Sequence, residues 1–141
     1  MDTLGRHLLV EYFGCNEQRL DDQDFIETLM VRAAEAANAT PIKHLFHRFS
    51  PHGVTGLVVI AESHLSIHTW PERGYASMDF YTCGACAPLP AKDVIAQGLQ
   101  ASHWEVLEVK RGLMHEGRPA RPSIVPSASR VERSPSSTSD T

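Results

Sequence analysis

The run from His64 to Thr82 constrains this chain more than any other stretch, because two alternating segments flank a Pro-Glu-Arg-Gly turn. In HLSIHTW (64–70), Leu65, Ile67 and Thr69 point one way, and His64, Ser66, His68 and Trp70 the other. That follows from the alternation of side chains along an extended strand. YASMDFYT (75–82) repeats the pattern, with Ala76, Met78 and Phe80 on the core side and Tyr75, Ser77, Asp79 and Tyr81 opposite. Two such runs joined by a tight turn predict an antiparallel hairpin with one buried and one polar face. The rest of the chain must supply something to cover the buried face.

Two segments have the right periodicity. After a capping residue at Asp21 or Asp22, Phe25, Ile26, Leu29, Met30, Ala33 and Ala37 recur at helical spacing, ending near Asn38 and Pro41. A second, shorter helix is expected over 91–100, opened by Pro88 and Pro90, with Val94, Ile95 and Leu99 inward. Further strands are expected at HLLVEYFG (7–14), IKHLFHRF (42–49), VTGLVVIAE (54–62) and HWEVLEVKR (103–111), with the turn SPHG at 50–53. The predicted order is β-α-β-β-β-β-α-β: an α+β fold, with an antiparallel-rich sheet and helices packed on one face.

Residues 1–116 hold this pattern and are expected to form one domain. From Gly117 the composition changes. The segment 117–141 has four prolines, seven serines and only Ile124, Val125 and Val131 as sizeable apolar residues, so a disordered tail is expected. The tail carries four arginines against two carboxylates, which leaves the body at −6 within a net charge of −4. Such a body argues against nucleic-acid binding, which needs an excess of Lys and Arg. No apolar run approaches the length of a membrane span. The N-terminus MDTLGRHLLVEYFG lacks the pattern of an export signal, and the three cysteines are an odd number. A reducing, cytoplasmic setting is expected, without a membrane partner.

Taken singly, the reactive side chains favour bland readings. Cys83-Gly-Ala-Cys86 has redox-like spacing, but no second ligand pair at matching spacing accompanies it, so no metal is expected. His64 and His68 are four apart on a strand, roughly 13 Å, too far to share an ion. A serine at position 63 is a weak nucleophile unless a base or strain activates it, and a histidine five strand residues away cannot reach it without a bend.

Together these residues read differently. GRHLLVEYFGC (5–15), FHRFSPHGVTGLVVI (46–60) and AESHLSIHTWPERGYASMDFYTCG (61–84) closely resemble the prokaryotic-type S-adenosylmethionine decarboxylase proenzymes, from about residue 4 to about residue 112. The resemblance implies a chain that cuts itself between Glu62 and Ser63, giving a β chain (1–62) and an α chain (63–141). The Ser63 hydroxyl attacks the preceding carbonyl, and elimination and hydrolysis leave a pyruvoyl cofactor and ammonia. That carbonyl forms a Schiff base with the α-amine of S-adenosylmethionine, and CO₂ is lost on the way to the aminopropyl donor for spermidine biosynthesis. By match to the family motif, Cys83 is the proton donor, His68 the acid/base of self-processing, and Thr55 a processing residue standing where serine is common. Phe49, Trp70 and Glu72 are carried over as substrate-binding residues, the aromatic faces suiting an adenine ring and a sulfonium. Ser63 is expected in a distorted turn, where strain would assist the acyl shift. The family's usual assembly implies two αβ units.

Three alternatives remain at this level. One is a pyruvoyl enzyme acting on ornithine or arginine; another is an unprocessed, non-catalytic binding protein; the third is a CxxC redox protein.

Overall fold

The structure is a computed structural model describing residues 3–61, 63–83 and 86–135. The chain runs β1 (Gly5–Phe13), α1 (Glu17–Leu20), α2 (Gln23–Ala36), β2 (Pro41–Arg48), β3 (Val54–Ile60), β4 (Ser63–Trp70), a 3₁₀ turn (Pro71–Arg73), β5 (Tyr75–Cys83), α3 (Pro88–Leu99) and β6 (His103–Arg111). Four short strands follow: β7 (Met114–His115), β8 (Arg118–Pro119), β9 (Ser123–Ile124) and β10 (Arg130–Arg133). The main sheet has the order β10-β6-β1-β5-β4-β3-β2, with β9 also on β6, and its pairings are antiparallel. The expected α+β class and core element order are both present. The short helix α1, capped by Asn16, is additional to the expected elements.

Both long helices lie on one side of the sheet, α2 against β2 and β3 and α3 against β1 and β5, and they pack on each other. The core between them holds Leu65, Ile67, Ala76, Met78 and Phe80, the inward series of the hairpin, with Leu8, Val10, Ile26, Met30 and Ile95. Thr69 closes that series and is buried because its hydroxyl is satisfied: it accepts from the Val54 N–H at 2.8 Å and donates to the Leu20 carbonyl at 2.7 Å. Asp22 caps α2 by accepting from the Phe25 N–H at 3.0 Å. Its neighbour Asp21 does different work, accepting from Gly53 N–H and Arg48 and so pinning the β2–β3 turn to the start of α2. Gly74, at φ 59°, supplies the left-handed residue that turns β4 into β5.

The expected disordered tail needs correction over the described residues 117–135. Without β10, β6 would present an unpaired edge, and Arg130–Arg133 fill it in register with Val106–His103. Glu132 then accepts from the buried Lys92 ammonium at 2.7 Å and from the Trp104 indole N–H at 2.7 Å. Few apolar side chains are needed here, because backbone pairing and the Glu132 contacts hold the segment instead. Ile124 and Val131 do remain mostly exposed. Residues 136–141 lie outside the described residues.

Candidate active site

With the helices on one side, the other face of the sheet is open, and the polar half of the hairpin lies on it. Register assembles groups there from four strands: Thr55 opposite His68, His64 opposite Tyr81, Ser66 opposite Asp79, and His7 opposite Tyr81. Exposed Leu9, Leu57, Val59 and Leu107 surround them. Clefts open on this face at each end of β4, and another of about 480 Å³ lies over β1, β6 and β10.

The first lies at the start of β4. It has a volume of about 690 Å³ and is lined by Leu57, Val59, Ser63, His64, Ser66, Tyr81 and Arg111. Ser63 is the first residue of β4 and pairs with Ile60 across the turn. Its hydroxyl oxygen is buried and makes no hydrogen bond, the one such side-chain atom among the described residues. An unsatisfied buried hydroxyl costs about 1–3 kcal/mol and invites a functional explanation. Cys83, half-buried, ends β5 two residues beyond Tyr81, on the same face and at the same end of the sheet. The expected distorted turn is not found at Ser63 itself, which is a paired strand residue. Glu62, the other side of the expected cut, lies outside the described residues.

The second cleft lies at the far end of β4. It encloses about 230 Å³ between Phe49, His52, Gly53, Thr55, His68, Thr69, Trp70 and Glu72. Thr55 Oγ1 lies 3.0 Å from His68 Nδ1, giving the histidine a hydroxyl partner where its sequence neighbours offer no carboxylate. Glu72 is ion-paired with His52 across the mouth. Trp70 stacks on Tyr75 at 5.0 Å. The structure thus brings Phe49, Thr55, His68, Trp70 and Glu72 together, and sets them apart from Ser63 and Cys83. The five residue steps from Ser63 to His68 span about 17 Å along a strand whose pairing with β3 and β5 shows no register shift.

A group absent from the sequence-based expectations sits beside Ser63. Asp79 Oδ2 lies 2.6 Å from His7 Nε2 and 3.3 Å from His64 Nε2, and Asp79 also accepts from the Ser66 hydroxyl. Burial pushes the Asp79 carboxyl up, but these three hydrogen bonds outweigh it and hold it at about 2. The donor atoms of His7, His64 and Asp79 lie within 4.8 Å of one another, a spacing that suits a divalent cation. Arg111 opposes that use. Its Nη1 lies 3.2 Å from His7 Nδ1, so Nδ1 is the acceptor and Nε2 carries the proton toward Asp79. Alternation placed His64 and Asp79 on one face, but the arrival of His7 from 72 residues away is a matter of strand order, which local sequence does not encode. Cys86, the extra thiol, is half-buried, with its sulfur 3.9 Å from the Asn38 carbonyl oxygen.

The sequence profile of the family described as S-adenosylmethionine decarboxylase matches residues 6–112. The chain belongs to the S-adenosylmethionine decarboxylase family. Its relatives include the S-adenosylmethionine decarboxylase proenzyme of Caldicellulosiruptor saccharolyticus, 49% identical over 117 residues covering 82% of this chain and 94% of that one. The proenzyme of Geobacillus kaustophilus is 50% identical over 113 residues, covering 80% and 91%. That of Methanococcus maripaludis is 48% identical over 118 residues, covering 83% and 97%. Among solved structures, the adenosylmethionine decarboxylase of Aquifex aeolicus superposes with a TM-score of 0.73 at 39% identity, over 82% of this chain and 97% of that one. The S-adenosylmethionine decarboxylase fold therefore accounts for the sheet and the helix layer. No helix among the described residues is long and apolar enough to cross a membrane.

Proposed function

We propose that this chain is a self-processing, pyruvoyl-dependent decarboxylase that converts S-adenosylmethionine to its decarboxylated form and CO₂ for spermidine biosynthesis. The observation that carries this reading is the Ser63 hydroxyl, buried without a hydrogen-bond partner at the head of β4, in a residue that also lines the first cleft. An oxygen with no hydrogen-bond partner is free to attack the carbonyl of residue 62. The C–N bond of that peptide breaks as the ester forms, and residue 63 gains a free amine. Loss of the Cα proton then expels the carboxylate of residue 62 from Cβ, and water releases ammonia. The residues around Ser63 suit the resulting group, because the cleft offers both apolar walls, in Leu57 and Val59, and a cation.

A pyruvoyl carbonyl, when present, condenses with an α-amine and accepts the electron pair that CO₂ leaves behind. This chain's own residues do the rest. Cys83, at the Ser63 end of the sheet, returns the proton to the substrate's α-carbon. His68, oriented by Thr55, moves protons during processing. Phe49, Trp70 and Glu72 receive the nucleoside part, where Glu72 shares its charge between His52 and the ligand.

The distance between the two clefts supports an assembly of two αβ units. Ser63 and Cys83 sit about 17 Å from the Thr55–His68 pair in one chain, yet both clefts open on the same sheet face. Two αβ units packed by their open faces about a two-fold axis bring the Ser63 end of one against the His68 end of the other. The exposed Leu9, Leu57, Val59 and Leu107 would be buried in that pairing. Product analysis tests the substrate. Release of CO₂ and decarboxylated S-adenosylmethionine is expected, with no turnover of ornithine or arginine. Turnover of a plain amino acid alone would overturn the substrate assignment.

A further inference from the structure

We infer that Arg111 is the anchor for the substrate's α-carboxylate, a role that rests on the decarboxylase reading of the Ser63 cleft. Condensation at residue 63 places the substrate's α-carbon, and the carboxylate bonded to it, inside this cleft. Arg111 is the one lining side chain with a permanent charge, since Leu57 and Val59 are apolar and His64 and Ser66 are turned to Asp79. No carboxylate lies within ion-pair distance of Arg111 among the described residues, whereas Arg6 and Arg48 are both paired. Its guanidinium is also held in place. It lies 4.4 Å over the Tyr81 ring, and Nη1 donates to His7 Nδ1 at 3.2 Å. His7 is in turn locked by Asp79 at 2.6 Å. One N–H is thus used for positioning, and the remaining N–H groups of the planar fork are available to a carboxylate.

The chemistry sets the sign of the effect. An ion pair to the carboxylate binds the ground state, and it weakens as negative charge leaves with CO₂. Arg111 therefore contributes to substrate capture and not to the chemical step, and its loss should appear in KM.

The test compares ligands that do and do not carry the charge, using the mature wild-type enzyme and the Arg111→Gln and Arg111→Lys variants. Cleavage of each chain is checked first on a denaturing gel. For Arg111→Gln, the KM for S-adenosylmethionine should rise about ten- to a hundredfold, with no fall in kcat. Arg111→Lys should recover part of that loss. Calorimetric dissociation constants for the decarboxylated product and for the methyl ester of S-adenosylmethionine, which both lack the carboxylate charge, should stay within about twofold of wild type. A loss shared equally by charged and uncharged ligands would reduce Arg111 to a structural role and overturn the inference, as would a fall in kcat at unchanged KM. A cut, active wild type with an unaffected Arg111→Gln variant removes the inference alone. A wild type that is neither cut nor active removes the decarboxylase reading, and this inference with it.

Discussion

Asp79 organises the Ser63 cleft by accepting from His7, His64 and Ser66 at once. Its carboxyl titrates at about 2 in the fold, against an ordinary 3.8. Because the folded value is depressed, the carboxylate stabilises the fold above pH about 4, and that contribution is lost as pH falls toward 2. The group is partly solvated, so the contribution is on the order of 1–2 kcal/mol. Asp79→Asn should lower unfolding free energy by that amount at pH 6, and the difference should vanish as pH approaches 2 in denaturant titrations. At the far end of β4, Thr55→Val removes the hydroxyl 3.0 Å from His68 Nδ1. Cutting should slow about tenfold or more, followed as the fraction of intact chain over time, while Thr55→Ser should cut normally. At this scale the sequence read unevenly. The resemblance named Ser63, His68 and Cys83, and alternation set His64 and Asp79 on one face. His7, Arg111 and His52 gave no local signal, because their partners lie far along the chain or across a turn.

Elements were more legible, and the reason is periodicity. The hairpin, α2 and α3 show their buried faces as repeats of two and 3.6 residues, which local sequence displays directly. The two edges read differently: the strand expected over 42–49 is present as Pro41–Arg48. Strand β2 keeps only Phe46 buried, and its ring packs where Gly56 of β3 has no side chain; a Cβ there would fall inside the ring. Gly56→Ala should therefore destabilise the fold by about 1–3 kcal/mol through overpacking, measured by thermal or denaturant unfolding. On the opposite edge, β10 was hidden by a composition that looks disordered. Glu132 is its tie to the body, with its carboxyl held below the ordinary range because Lys92, Trp104 and Arg130 together outweigh burial. Glu132→Ala leaves the Lys92 ammonium with Asp93 alone and the Trp104 indole unpaired. A loss of about 2 kcal/mol is expected, together with faster amide exchange in Arg130–Arg133.

In the whole molecule, one sheet face meets the helices and the other carries clefts at the Ser63 and His68 ends of β4, about 17 Å apart. Strand spacing alone shows that separation in the sequence, but not how it is bridged, since a motif reads the same whether its residues act within one chain or between two. A composite site makes a specific demand: a Ser63→Ala chain and a His68→Ala chain, each unable to cut alone, should cut when co-expressed. The site formed by Ser63 of one chain and His68 of the other is then intact. Failure to cut in the mixture would place both residues in a single-chain site. Beneath all of this stands the claim that Ser63 attacks its own peptide bond. Intact mass of the purified wild-type chain under denaturing conditions tests it most directly. Two fragments are expected, residues 1–62 and a second piece beginning at a pyruvoyl-blocked position 63, with Ser63→Ala remaining whole. A single uncut wild-type chain, carrying no carbonyl-reactive group, would contradict it.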